Sequence, residues 1–200
     1  MQTEIEVKFL DIDHEAMRQK LKDAGGVLMT PMRDMRRALF ETPKMRERNG
    51  FYRLRDEGNK ITLTYKQVDK WIGGTIDGAK EIEIEVSDFD ATIALLAQND
   101  LEPITYQESR REAWEINGCE VVLDEWPWIP TYIEIEGPSE QLVKDTAALL
   151  DFDWGDAVFG NVDVIYDREY PRMTVRGVID IKESRFGDPV PKVFLGESDD

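Results

Sequence analysis

Residues 80–86 read KEIEIEV, and this stretch decides the fold class. Ile82, Ile84 and Val86 share one parity, and Glu81, Glu83 and Glu85 share the other. Side chains two apart on an extended chain point the same way, so the segment is a strand with one apolar and one ionic face. Working outward, the same alternation predicts strands over residues 3–9 (TEIEVKF), 35–41 (MRRALFE), 51–57 (FYRLRDE), 60–67 (KITLTYKQ), 106–116 (YQESRREAWEI), 119–125 (CEVVLDE) and 131–136 (TYIEIE). Asn117-Gly118 has the positive-φ chemistry of a type I′ hairpin turn, and Glu57-Gly58-Asn59 offers the same between the third and fourth strands.

Helical spacing separates some of the strands. Residues 13–24 place Ala16, Met17, Leu21 and Ala24 near one face before Gly25-Gly26. Residues 88–99 begin with Asp88 as a cap and carry Ile93, Leu95 and Leu96. Residues 139–150 begin with Ser139 and carry Leu142, Val143, Ala147 and Leu150. A short helix is expected from Asn161 to about Arg168, and a long loop over 67–79 around Gly73-Gly74. Eight strands with few helices predict an α+β fold: a closed eight-stranded antiparallel β-barrel, with the helices packed outside on its apolar face. Residues 1–170 form the barrel domain in this reading, and residues 171–200 a C-terminal extension, disordered at its GESDD end.

The composition narrows the function. Among 200 residues, 25 Lys and Arg stand against 42 Asp and Glu, a net charge of −17. Such a chain repels nucleic acid, so a phosphate ligand must be caught locally, by clustered cations or by metal. One cysteine, Cys119, excludes an internal disulfide and a cysteine-based zinc cluster, and one histidine argues against a multi-histidine site. The charged MQTEIEVKF start is unlike a signal peptide, and no stretch of about 20 apolar residues is present. A cytoplasmic protein without a membrane partner is expected.

The ionic faces carry the chemical argument. Glu4, Glu6 and Lys8 share a face, as do Arg53 and Arg55, the three glutamates of 81–85, and Glu134 with Glu136. A solvated sheet face is also charged, but Lys, Thr and Gln would serve it equally well. Here Glu-x-Glu pairs recur in three strands, while Arg-x-Arg and Lys66 occupy two others. Gathered in an enclosed lumen, such charges need compensation by opposite charges or bound ions. Carboxylates are hard ligands suited to Mg²⁺ or Mn²⁺, and Arg and Lys suit phosphate oxygens. A lining of both signs is what a metal–polyphosphate complex requires.

At these residues the sequence resembles the CYTH family of triphosphate tunnel metalloenzymes, which includes class IV adenylyl cyclases, thiamine triphosphatases and inorganic triphosphatases. The resemblance is carried by Glu4-Ile5-Glu6-Val7-Lys8, YRLR (52–55), TYK (64–66), EIEIE (81–85), SRREAW (109–114), VVLDEW (121–126) and YIEIEG (132–137), in order over about residues 1–170. It implies that Glu4, Glu6, Glu134 and Glu136 bind metal, with Asp124 holding metal or its water. It implies that Lys8, Arg53, Arg55, Lys66 and Arg111 contact a triphosphate and that Glu83 and Glu85 complete the acidic lining. Glu4, Glu6 and Lys8 are the implied catalytic residues. One departure stands out: where the family often has Lys-x-Arg, this chain has Ser109-Arg110-Arg111. A phosphate-binding lysine is then absent, unless Arg110 replaces it through a shift of register, which would turn side chains to the opposite face.

The expected activity is hydrolysis of an inorganic or organic triphosphate, such as tripolyphosphate, ATP or thiamine triphosphate, with Mg²⁺ or Mn²⁺. Alternatives are a class IV-type cyclase making cyclic AMP and pyrophosphate, a non-catalytic polyphosphate or nucleotide binder, and a purely structural interaction domain. No nucleic-acid partner is expected, and a homodimer is left open. Elsewhere, His14 is expected to be solvated, Cys119 to be a packing residue, and the WPWIP loop (126–130) to pack or to cover the tunnel mouth. Of Arg33, Arg36 and Arg37, one is expected on the lumen side; Met29, Met32 and Met35 are expected to fill gaps; and Asp11 and Asp13 to start the first helix.

Overall fold

The structure is a computed structural model and describes residues 5–67, 70–72, 75–77 and 80–197. The chain divides into two compact units, Met1–Arg33 with Arg110–Ile165, and Asp34–Ser109 with Tyr166–Asp200. Two strands of 14 residues, β2 (Val27–Phe40) and β8 (Pro103–Ile116), run from one unit into the other.

In the first unit, β1 (Ile5–Leu10) pairs antiparallel with β10 (Tyr132–Gly137), β10 with β9 (Cys119–Glu125), and β9 with residues 110–116 of β8. The β8–β9 hairpin turns at Asn117 and Gly118, with φ of 54° and 73°, as the Asn-Gly pair predicts. One sheet face carries Val7, Phe9, Trp114, Ile116, Val121, Leu123, Ile133 and Ile135, all buried. Helix α1 (His14–Asp23) lays Met17 and Leu21 into that core, and α4 (Glu140–Leu149) adds Val143 and Ala147. Both helices start where the sequence indicates, since Asp13 accepts from the Glu15 and Ala16 amides and Ser139 from Leu142. Cys119 packs under Gly137, where an added Cβ would lie 2.7 Å from its sulfur, and accepts a hydrogen bond from Thr146.

In the second unit, β2 pairs with β3 (Gly50–Asp56), β3 with β4 (Ile61–Gln67) and β4 with β7 (Lys80–Glu85), all antiparallel. Ala38, Phe40, Leu54 and Phe89 form a buried cluster, and helix α3 (Phe89–Ala97), capped by Asp88, brings Ile93 and Leu96 onto it. That helix stops short of the outer strands: Ile82 and Ile84 keep 67% and 55% of their surface exposed. With Tyr52, Leu63 and Tyr65 they line an open apolar cleft.

Among the described residues the fold is a mainly antiparallel sheet with five α-helices, α+β as expected, but two features differ from the sequence reading. The closure predicted for the barrel is not made by hydrogen bonds: among the described residues no ladder joins β7 to β1. On its side away from β10, β1 exchanges two 2.9 Å backbone bonds between Lys8 and Val158. The expected 67–79 loop contains a hairpin of β5 (Lys70–Ile72) and β6 (Thr75–Asp77); its Gly73-Gly74 pair lies outside the described residues.

Three further elements were not predicted or were placed differently, while the short helix expected from Asn161 to about Arg168 is present. Strand β2 starts at Val27 instead of near residue 35, and Met29 on it is 58% exposed, not buried as a gap-filler. Helix α2 (Pro43–Arg46) is a single turn with Thr42 as its cap. Helix α5 spans Asp163–Glu169. The C-terminal extension is built into the second unit. Strand β11 (Glu183–Ser184) pairs parallel with Tyr106 and Gln107 of β8, and Val178 and Phe194 are buried. The Phe194 ring meets Tyr166 edge-on at 5.6 Å and Tyr170 at a tilt at 5.2 Å. The disorder expected at the very end falls on residues 198–200, outside the described residues.

Candidate metal and phosphate site

In the first unit, the strand face opposite the helices gathers Glu6 and Lys8 from β1, Glu134 and Glu136 from β10, Asp124 from β9 and Arg111 from β8. Register explains the convergence. Glu6 is the Cα partner of Glu136, Lys8 of Glu134, and Arg111 of Asp124. The burial of the alternate apolar residues therefore forces these six onto one shared face. Lys8 is fixed further, because its backbone is bonded to β10 on one side and to Val158 on the other.

Charges alternate through this face. Glu6 lies 2.7 Å from Lys8 Nζ, Lys8 Nζ 3.4 Å from Glu134, and Glu134 3.9 Å from Arg111 Nη2. Arg111 then grips Asp124 at two points, 2.7 and 2.5 Å. Lys8 is 2% exposed. Burial works against its charge, but Glu134 and Glu6 outweigh burial, and its pKa stands above the ordinary lysine value. Burial, then the charge of Glu134, push the Glu6 carboxyl above its usual range. Burial also acts to raise Glu134, yet Lys8 and Arg111 hold it below. Arg111 stays firmly protonated, since Asp124 and Glu134 overcome the cost of burial.

Oxygens of Glu6, Glu134 and Glu136 lie within 4.8 Å of one another. Three converging carboxylate oxygens are a hard donor set, suited to Mg²⁺ or Mn²⁺. The charge balance points the same way. Among the described residues Glu120 and Glu115 share this face by register with Glu136, so carboxylates outnumber Lys8 and Arg111 and the excess negative charge favours a cation. The residues present therefore fit a divalent metal. Glu4 lies outside the described residues. Asp124 stands apart from the three-carboxylate group, with both oxygens on Arg111.

In the second unit the ionic face of β3, β4 and β7 forms cross-strand rows. Arg55, Thr62 and Glu85 are register partners, then Arg53, Thr64 and Glu83, then Phe51, Lys66 and Glu81. Lys66 Nζ meets Glu81 at 3.0 Å, and Arg55 meets Glu57 at 3.0 Å. Arg53 is held less closely. Its nearest carboxylates, Glu81 and Glu83, stand 3.9 and 4.0 Å away, and its buried Nε has no hydrogen-bond partner among the described residues. Burial and the neighbouring Arg55 lower its pKa to about 10. Glu83 accepts from the Thr64 hydroxyl at 2.8 Å, and that bond holds its carboxyl below the usual value. Glu85 is exposed.

Other predicted positions resolve by parity. Arg110 shares the helix-side face with Trp114 and pairs with Glu125 at 3.2 Å, so it does not take the place of the lysine missing at Ser109. Glu112, on that same face, is a buried anchor that accepts from Arg18 and from Trp114. His14, expected to be solvated, is instead covered: its ring is 9% exposed and lies 3.4 Å from Glu125. Trp126 is buried, and Asp13 caps α1. Arg36 pairs with Asp56 and covers the Phe89 ring, whereas Arg37, its neighbour, faces the ionic side as the register partner of Arg55.

Comparisons with known proteins bear on the family and the fold. A family model for the CYTH domain matches residues 2–153. The fold is similar to that of a conserved hypothetical protein of Pyrococcus furiosus, with TM-score 0.63 and 20% identity over 78% of this chain and 95% of that one. It is also similar to a proposed adenylate cyclase of Vibrio parahaemolyticus, with TM-score 0.66 and 15% identity over 82% and 97%. A third structure, a proposed adenylyl cyclase of Hippeastrum with a dominant triphosphatase activity, gives TM-score 0.51 and 14% identity over 74% and 85%. No curated protein matches the sequence. No helix among the described residues is long and apolar enough to cross a membrane. With three quarters of its length matched and its ionic strand faces in the expected register, the chain belongs to the CYTH family.

Proposed function

We propose that this protein is a metal-dependent triphosphate-processing enzyme that hydrolyses an inorganic or organic triphosphate. The observation that carries the reading is the group of Glu6, Glu134 and Glu136 beside the buried Lys8 and the half-buried Arg111. A simple metal buffer needs no buried cations, and a simple anion site needs no triad of carboxylates. Phosphoryl transfer depends chiefly on positioning and charge neutralisation, so both signs are required together.

Glu6, Glu134 and Glu136 would hold Mg²⁺ or Mn²⁺. A bound divalent ion supplies neutralisation of phosphate charge and a lowered pKa for bound water. Lys8, fixed by backbone bonds on both sides of its strand, would meet phosphate oxygens as a point charge. Arg111, oriented by Asp124, would present its guanidinium for a two-point contact. The Arg53, Arg55 and Lys66 side chains, on successive rows of one face of the second unit, have the same chemistry, and the incompletely bonded Arg53 is the strongest anion ligand among them. The dominant triphosphatase activity named for the Hippeastrum relative favours hydrolysis over cyclisation.

The test is a substrate panel of tripolyphosphate, ATP and thiamine triphosphate with Mg²⁺ and with Mn²⁺, every product being identified. Release of phosphate is expected. Cyclic AMP with pyrophosphate from ATP would point to a cyclase instead. Glu6→Gln, at the more exposed of the two carboxylates beside Lys8, should lower kcat about a hundredfold with the fold retained by circular dichroism, and undiminished turnover would overturn the assignment.

A further inference from the structure

Ser109 stands where the family resemblance leads one to expect a lysine, so the second unit lacks one cation. Ser109 is 7% exposed and shares its β8 face with Thr105 and Gln107. Gln107, two residues back, lies about 7 Å away along the strand. At that point a cation arrives from another strand: Arg37 of β2 donates from Nε to Gln107 Oε1 at 2.6 Å. Gln107 in turn donates from Nε2 to the Val178 carbonyl at 3.2 Å. The second bond sets the first, since an amide whose nitrogen is committed to a carbonyl turns its oxygen to the guanidinium.

Two features of this arrangement point to an anion. Gln107 is neutral, so its bond fixes the Arg37 guanidinium without adding a carboxylate to it. Arg37 and Arg55 are direct partners across β2 and β3, on a common face, and like charges so placed repel. Glu57 offsets Arg55 at 3.0 Å, and Arg53 follows one row further along the same face. A ladder of guanidiniums held by a neutral amide has the chemistry of a phosphate cradle, in which Arg gives a two-point contact.

We propose that Arg37 is a phosphate-binding residue of the second unit, supplying the positive charge that Ser109 cannot, and that Gln107 is its positioning residue, oriented by the Val178 carbonyl. The inference rests on the triphosphate reading above and adds a residue to it. It also gives the C-terminal extension a part in the site, because Val178 lies beyond the residues matched by the CYTH model.

The experiment is calorimetric titration of tripolyphosphate into the full-length protein, with and without Mn²⁺, beside KM and kcat for its hydrolysis. Arg37→Gln should weaken binding roughly tenfold or more, as loss of a charged contact does. Adding Ser109→Lys to Arg37→Gln should restore most of the affinity, which a merely structural arginine would not allow. Gln107→Leu should raise KM more than it lowers kcat. Unchanged binding in Arg37→Gln overturns the proposal, and so does a loss that Ser109→Lys leaves in place. Wild-type protein that neither binds nor hydrolyses tripolyphosphate takes down the functional reading and this inference together, a result distinct from either of the others.

Discussion

Lys8 shows how a single position ties sequence to chemistry. Its parity in β1 places it opposite the core, its partner Glu134 is set by register, and the Val158 bridge fixes its backbone from the other side. An ammonium only 2% exposed is tolerable because Glu6 and Glu134 flank it. The Thr64–Glu83 bond offers a residue-level check in the second unit. Because the hydroxyl lowers the Glu83 pKa, the carboxylate stays ionised below the ordinary range. The stabilisation from that bond is present above the unfolded value and is lost as pH falls through the lowered one. Thr64→Val should therefore move the Glu83 titration upward, followed by NMR of the side-chain carboxyl, and an unmoved curve would show that the hydroxyl does not set it.

Among the elements, those that alternate strictly were legible and those that do not were hidden. β1, β3, β4, β7, β9 and β10 could be read from parity alone, because one face of each is apolar. Residues 27–34, VLMTPMRD, lack that rhythm and contain Pro31, so the first half of β2 is sheet without a sequence signal. The same gap hid Arg37. Around it, MRRALF puts both cations and apolar residues on each parity, and only pairing with Arg55 tells which arginine faces the site. By contrast Glu6, Arg111, Glu134 and Glu136 stand in strands whose apolar partners settle the face. The α1 helix is held mainly by Met17 and Leu21 in the first core. Leu21 is fully buried, so Leu21→Ala should cost about 2–5 kcal/mol by denaturant unfolding. A loss below about 1 kcal/mol would mean that α1 contributes little to that unit.

At the scale of the molecule, the C-terminal extension is the part that neither strand rhythm nor family resemblance reached. It is held by β11, by the Thr105 hydroxyl on the Ile181 carbonyl at 2.6 Å, and by Val178 and Phe194 in the second unit. Burial of two such side chains contributes about 1.5–3 kcal/mol each. For a chain of this size that corresponds to a fall in melting temperature on the order of 10 °C, so truncation after Tyr170 should show one in scanning calorimetry. An unshifted transition would show that the segment is dispensable for stability. The net charge of −17 belongs to this scale too: it keeps polyanions away from most of the surface, so affinity for phosphate must arise at the few positions where cations are pinned.

The outermost strand has a consequence for anyone handling the protein. Ile82 and Ile84 stand bare on β7, at the end of the strand order, and the three glutamates that alternate with them keep a second molecule from zipping onto that margin. Acid near the sequence pI of about 4.5 discharges the colloid as a whole, leaving a ribbon of bare backbone and isoleucine with little net charge to keep copies apart. Purification and storage near neutrality, and away from acidic crystallisation screens, follow directly from that unguarded rim.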